Sequence, residues 1–98
     1  MIFHVVPADE WERARAAGVY APDSLRELGF IHLCEQHQVA GVLARFFAGR
    51  SDLVVLAVRE DRLRAALRRE PVDGDMFPHL FGPLELDAVV GVTHSTAP

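Results

Sequence analysis

Residues 76–84 read MFPHLFGPL, a short apolar run that places a histidine between two phenylalanines and closes on Gly82 and Pro83. Strand alternation puts Phe77, His79 and Phe81 on one face, with Gly82 and Pro83 making the turn that follows. Two other segments repeat the theme: residues 29–34, GFIHLC, hold His32, and residues 2–6, IFHVV, hold His4. An imidazole in an apolar strand is costly to bury unless both ring nitrogens find partners. Either the three rings face one shared cleft, or each is satisfied separately in the core. A domain of 98 residues has little interior in which to hide three separate imidazoles, which favours the cleft.

That length predicts a single domain spanning residues 1–98. Half of the residues are hydrophobic, and no repeat or low-complexity tract interrupts them, which suits a globular core. With 10 basic against 14 acidic residues, the chain has no broad positive surface for nucleic acid. The arginines from Arg59 to Arg69 form one local exception, read first as a solvated helix face and second as an anion contact. The lone Cys34 makes no internal disulfide, and no basic segment precedes the first strand, so a cytoplasmic location is expected. No apolar run approaches the roughly 20 residues that span a bilayer.

In chain order, residues 2–6 predict a strand with Ile2, His4 and Val6 on one face. Pro7, Asp9 and Glu10 then open a helix that ends at Gly18, with Trp11 and Ala14 on its inner stripe. Pro22 and Asp23 mark a turn before one short helical turn over residues 24–28, and Tyr20 lies in the loop ahead of it. Phe30–Leu33 form a second strand. From Glu35 the apolar stripe Val39, Val42, Leu43, Phe46, Phe47 predicts a helix that reaches Gly49. LVVLAV at 53–58 shows no alternation and should be buried on both faces. Residues 60–67 predict a short helix that hands over to a strand near Arg68 and is stopped at Pro71. VDGDM is a polar loop, and residues 84–93 form one or two last strands. The order β-α-β-α-β-α-β-β predicts an α+β domain with a curved, mixed or split sheet of five to six strands and two to three helices.

Two chemical readings of HLCEQH at 32–37 compete with a plain structural one. Its four metal-competent side chains lack any paired-ligand spacing, so no metal is expected. Cys34 lies just before a helix start, where a thiolate is stabilised, and a Cys/His pair with His32 or His4 is conceivable; a small core residue is the plainer reading. No hydrolase triad and no glycine-rich nucleotide loop is present.

Taken together, the strand with His4, Trp11 in the first helix, GVYAPDSL, GFIHLC, the Gln-Val helix, a Glu-Pro turn and FPHLFGPL resemble a family of small bacterial proteins. It is known as the domain of unknown function number nine hundred and fifty-two. That resemblance extends remotely to ADP-ribosyltransferase-like folds, and it implies a cleft in a split sheet that takes NAD and acts on the nicotinamide–ribose bond. By that resemblance His4 would hold ribose hydroxyls, Tyr20, Phe77 or Phe81 would stack on nicotinamide, and Glu70 is the nearest candidate for the late glutamate. His32 and His79 look more like the His/Arg sites of the RNA 2'-phosphotransferase branch. The candidate catalytic residues are therefore His4, His32, His79 and Glu70, and the candidate substrate-binding residues Trp11, Tyr20, Cys34, Phe77 and Phe81. NAD is the implied substrate, and the implied partner is a nucleotide-like small molecule. A non-catalytic binding module on the same fold is the alternative.

Overall fold

A computed structural model describes residues 1–98. The chain runs β1 (Ile2–Pro7), α1 (Ala8–Ala17), β2 (Val19–Tyr20), α2 (Asp23–Leu28), β3 (Ile31–His32), α3 (Val39–Phe46), β4 (Leu53–Val58), β5 (Leu67–Val72), β6 (Asp75–Leu80), β7 (Leu84–Glu85) and β8 (Val89–Ser95). Single 3-10 turns occupy Gln36–Gln38, Glu60–Arg62 and Leu86–Ala88. This is an α+β domain whose sheet is split. One three-stranded part has the order β1-β4-β8, another the order β3-β6-β5, and β2 pairs with β7 separately. Every strand pairing is antiparallel, which removes the mixed sheet from the expectation.

The two three-stranded parts meet at one point. Phe3 and Cys34 exchange both backbone hydrogen bonds, each 2.8 Å long. Continued in register, Val5 would pair with His32, but the ladder stops, and β1 and β3 part company there.

Cores lie on both sides of β1 and β4. Alternation sends Ile2 and Val6, with Val54, Leu56 and Val58, towards Trp11 and Ala14 of α1 and Tyr20 of β2. The opposite face carries Val5 and Leu53, which pack on Leu43, Val39 and Val42 of α3 and on Phe47 just after it. As the unbroken apolar run requires, β4 sits between two strands with Leu53, Val54, Leu56 and Val58 buried. The start of α3 is pinned by Gln38, whose side-chain oxygen accepts from the Glu35 amide at 2.8 Å, while its NH2 donates to Asp75 at 3.0 Å and to the Met76 carbonyl at 2.9 Å. Glu35 and Gln38 form a capping box there, as two residues of a first turn can.

Three expectations fail in the middle of the chain. Residues 60–67 do not form a helix; after the 3-10 turn the chain is irregular with a bend at Ala65, and Leu63, Ala65 and Leu67, at a period of two, pack on the main core. Leu63, Ala66 and Leu67 also fit a helical spacing, and the two periods cannot be told apart in so short a run. Pro71 does not end the element but lies inside β5, an edge strand, where a missing N–H is tolerated. VDGDM is not a loop. Asp73 (φ 49°) and Gly74 (φ 83°) are both left-handed and form the two-residue turn of a hairpin that pairs Val72 with Asp75.

Pro78 shapes the other end of this sheet. Leu33 donates to the Pro78 carbonyl at 3.0 Å, but proline has no N–H to return the bond, and β3 is only two residues long. After β6 the chain turns at Gly82, where an added Cβ would stand 2.6 Å from the Ala65 Cβ, while the Phe81 amide donates to the Ala66 carbonyl at 2.8 Å. No helix is long and apolar enough to cross a membrane.

Candidate functional site

The fork between β1 and β3 is bridged by a side chain. His4 Nδ1 lies 2.6 Å from the His32 carbonyl oxygen, and His4 Nε2 lies 2.8 Å from the Tyr20 hydroxyl. A carbonyl only accepts, so Nδ1 carries the proton and donates to it. In the neutral ring Nε2 then accepts from the Tyr20 O–H. His4 is thus a clip across the split, with both nitrogens engaged. Burial lowers its pKa from 6.5 to about 4, against the opposing effect of the His32 carbonyl, and proximity to the His32 ring lowers it slightly further. Tyr20, itself buried, has its pKa raised by desolvation and by Glu10.

Beside the clip opens a cleft of about 330 Å³, with Phe3, Val5, Cys34 and Phe77 on the sheet side and Val42 and Phe46 of α3, with Phe47 just after it, opposite. His4 and His32 border it at the fork, and Arg45, paired with Asp73 of the hairpin turn, stands at its edge. The walls are mostly apolar. A volume in this range, with a few polar groups at one end, suits a small organic ligand.

Behind His32 runs a row of polar side chains on the outer face of the second sheet. In register, His32 faces His79 across β3 and β6, and His79 faces Arg68 across β6 and β5. Their neighbours Ile31, Leu80 and Leu67 point the other way, into the core. The His32 and His79 rings meet edge to face at 5.2 Å between centroids. Glu70, on the next outward position of β5, accepts from His79 Nδ1 at 2.8 Å. Phe30 stacks over His79 at 4.2 Å and meets His32 at 4.8 Å. His79 is only 3% exposed, and its Nε2 has no partner. Buried ring nitrogens are rarely left so. The pKa of His32 is lowered by burial and by the adjacent His79.

The residues expected from the sequence are therefore brought together in part. His4, His32, Cys34 and Phe77 border the cleft; His79 touches His32 from behind, with Glu70 on its far side. Trp11 is 6% exposed in the core under α1 and does not border the cleft, because the stripe that carries it faces the sheet. Tyr20 reaches the site only through His4, and Phe81 packs on Phe30 at 5.4 Å, away from the opening. Cys34 is 2% exposed, and burial, followed by Glu35, pushes its thiol up to about 11, the reverse of the lowering its position before a helix suggests. No group of three or more His, Cys, Asp or Glu side chains is placed to hold a metal. Sequence reasoning missed Phe30 and the α3 wall, and it saw Arg68 only as one of a run of arginines. The adjacent pair Phe46–Phe47 was the available signal, since Phe47 packs inward and Phe46 remains 61% exposed beside the cleft.

Fold and site together define a small α+β domain with a forked antiparallel sheet and a cleft at the fork. The chain belongs to the family described as protein of unknown function (DUF952), whose model matches residues 5–92. It is similar to CC0527 from Caulobacter crescentus: the crystal structure of that protein is 33% identical, with a TM-score of 0.84, over 95% of this chain and 83% of that one. Its solution NMR structure is 33% identical with a TM-score of 0.81, over 95% of this chain and 82% of that one. No curated protein matches.

Proposed function

We propose that this chain binds NAD or another nucleotide-like ligand in the cleft at the fork, and that His32, His79 and Glu70 act on its glycosidic or phosphate linkage. One observation carries the reading: a carboxylate, a buried imidazole with a free Nε2 and an exposed imidazole stand in sequence at the end of an apolar cleft. The ADP-ribosyltransferase-like resemblance supports it, since such folds take NAD in a split sheet. The apolar walls, Phe77 and Phe3 among them, offer surfaces for a planar ring.

Cleavage of the nicotinamide–ribose bond sends its electron pair to the nicotinamide nitrogen and leaves positive charge on the ribose. A water or other acceptor then attacks the ribose and gives up a proton. His32, exposed and with a lowered pKa, is unprotonated near neutrality and suited to take that proton. Glu70 supplies negative charge behind it, and His79, bonded to that carboxylate, supplies orientation. His4 contributes by holding the fork at fixed width, because both its nitrogens are already bonded.

A second reading, binding without turnover, is favoured by one feature: Glu70 is engaged by His79 and does not border the cleft. Calorimetric titration with NAD, ADP-ribose and simple nucleotides, paired with an assay of nicotinamide release, tests both. Heat with release supports the enzyme, and Glu70→Gln should then abolish release while leaving affinity nearly intact. Heat without release supports the binding module. Neither heat nor release contradicts both.

A further inference from the structure

Ten basic residues serve this chain, and all are arginines. Seven of them, Arg13, Arg15, Arg26, Arg45, Arg50, Arg59 and Arg69, are held by carboxylates. Arg62 donates to the Asp87 carbonyl. Arg64 and Arg68 have no such partner, and of the two it is Arg68 that stands in register beside His79, with His32 on the strand beyond, on the outer face. Its guanidinium lies 5.4 Å from the centroid of Phe81, which packs on Phe30, the ring that in turn touches both histidines. Phe81 thus holds the cation near the row without neutralising it.

We propose that Arg68, His32 and His79 form an oxyanion site, and that it receives the phosphate of the ligand whose ring enters the cleft. This rests on the ligand-binding reading above and names the group that reading leaves unassigned. Three features support it. Arg68 is a fork-shaped donor free to bind a phosphate in bidentate fashion. His32 is exposed at the junction of row and cleft, so one molecule reaches both. The unpartnered Nε2 of His79 is the independent sign of a missing partner, since Nδ1 is already bound to Glu70. Phe30 stacks on the face of the His79 ring, and Nε2 itself is enclosed, so Arg68 and His32 are the exposed members that an anion meets first.

The test uses the full chain with pyrophosphate, ADP-ribose and adenosine as probes, read by side-chain 15N signals of the histidines and by calorimetry. Pyrophosphate and ADP-ribose are expected to shift His32, and Arg68→Ala, a change at an exposed position, to weaken both at least tenfold; adenosine binding should be unaffected. Pyrophosphate that leaves the His32 signals unmoved, or ADP-ribose affinity within twofold of wild type in Arg68→Ala, overturns the proposal. If ADP-ribose perturbs only the cleft, the ligand-binding reading survives and the oxyanion site falls. If pyrophosphate alone acts on the row, the site stands and the nucleotide reading falls.

Discussion

Tyr20→Phe tests the clip that sets the fork. The substitution keeps the buried ring and so creates no appreciable cavity, but it removes the hydroxyl that donates to His4 Nε2 at 2.8 Å. A buried acceptor left without its donor costs about 1–3 kcal/mol. The same clip sets a pH dependence. The folded-state pKa of His4 lies near 4, below its ordinary value of 6.5, so the folded state holds the ring neutral. The unfolded chain therefore binds more protons between these limits. Its contribution is full above pH 6.5, declines as pH falls, and is gone below about 4. At 1.36 kcal/mol per unit, the span amounts to as much as about 3 kcal/mol. Urea unfolding followed by tryptophan fluorescence at a series of pH values measures both effects, since Trp11 is in the same core. The variant should be about 1–3 kcal/mol less stable at pH 7.5. The wild type should weaken steadily from pH 6.5 towards 4. A Tyr20→Phe protein within about 0.5 kcal/mol of wild type at pH 7.5 would refute the clip, since even the lower bound for an orphaned acceptor exceeds that.

Two further outcomes follow from the packing. Gly82→Ala forces its new methyl against the Ala65 Cβ at 2.6 Å, and overpacking of this kind costs about 1–3 kcal/mol, visible as a lowered Tm in calorimetry; an unchanged Tm would mean that the 65–66 segment yields freely. Cys34, buried and with its thiol pushed up to about 11, should resist iodoacetamide at pH 8 in the folded protein and react promptly in urea. Rapid alkylation of the folded chain would show that the cleft opens well beyond its resting width.

Much of the scaffold was legible because periodicity expressed it strongly. LVVLAV announced a strand buried on both faces, and the stripe through Val39, Val42, Leu43 and Phe47 announced the face of α3 that packs on the sheet. The hairpin from Leu67 to Leu80 was hidden because Pro71 read as a stop and VDGDM as a loop. Pro71 is tolerated because β5 is an edge strand, and only the pairing reveals that position. The site was half visible. An imidazole in an apolar strand asks for partners, and that demand pointed to His4, His32 and His79. What each finds is set by register across distant segments: His4 meets a carbonyl 28 residues away, while His79 meets Glu70 across the hairpin. Phe30 carried no local signal, since a phenylalanine in a short strand looks ordinary until the rings are assembled, and the arginine run that holds Arg68 gave no sign of which member would face the histidines.

The most direct test of the account is to map where a nucleotide-like ligand binds, by titrating the 15N-labelled protein with ADP-ribose and following backbone amides. The account predicts shifts concentrated at the fork and cleft, at Phe3, Val5, Cys34, Phe77 and residues 42–47, with His32 moving at its ring. Shifts confined to the more open depression between α1 and β2, near Glu10, Arg13 and Asp23, would contradict it, as would a spectrum that does not change.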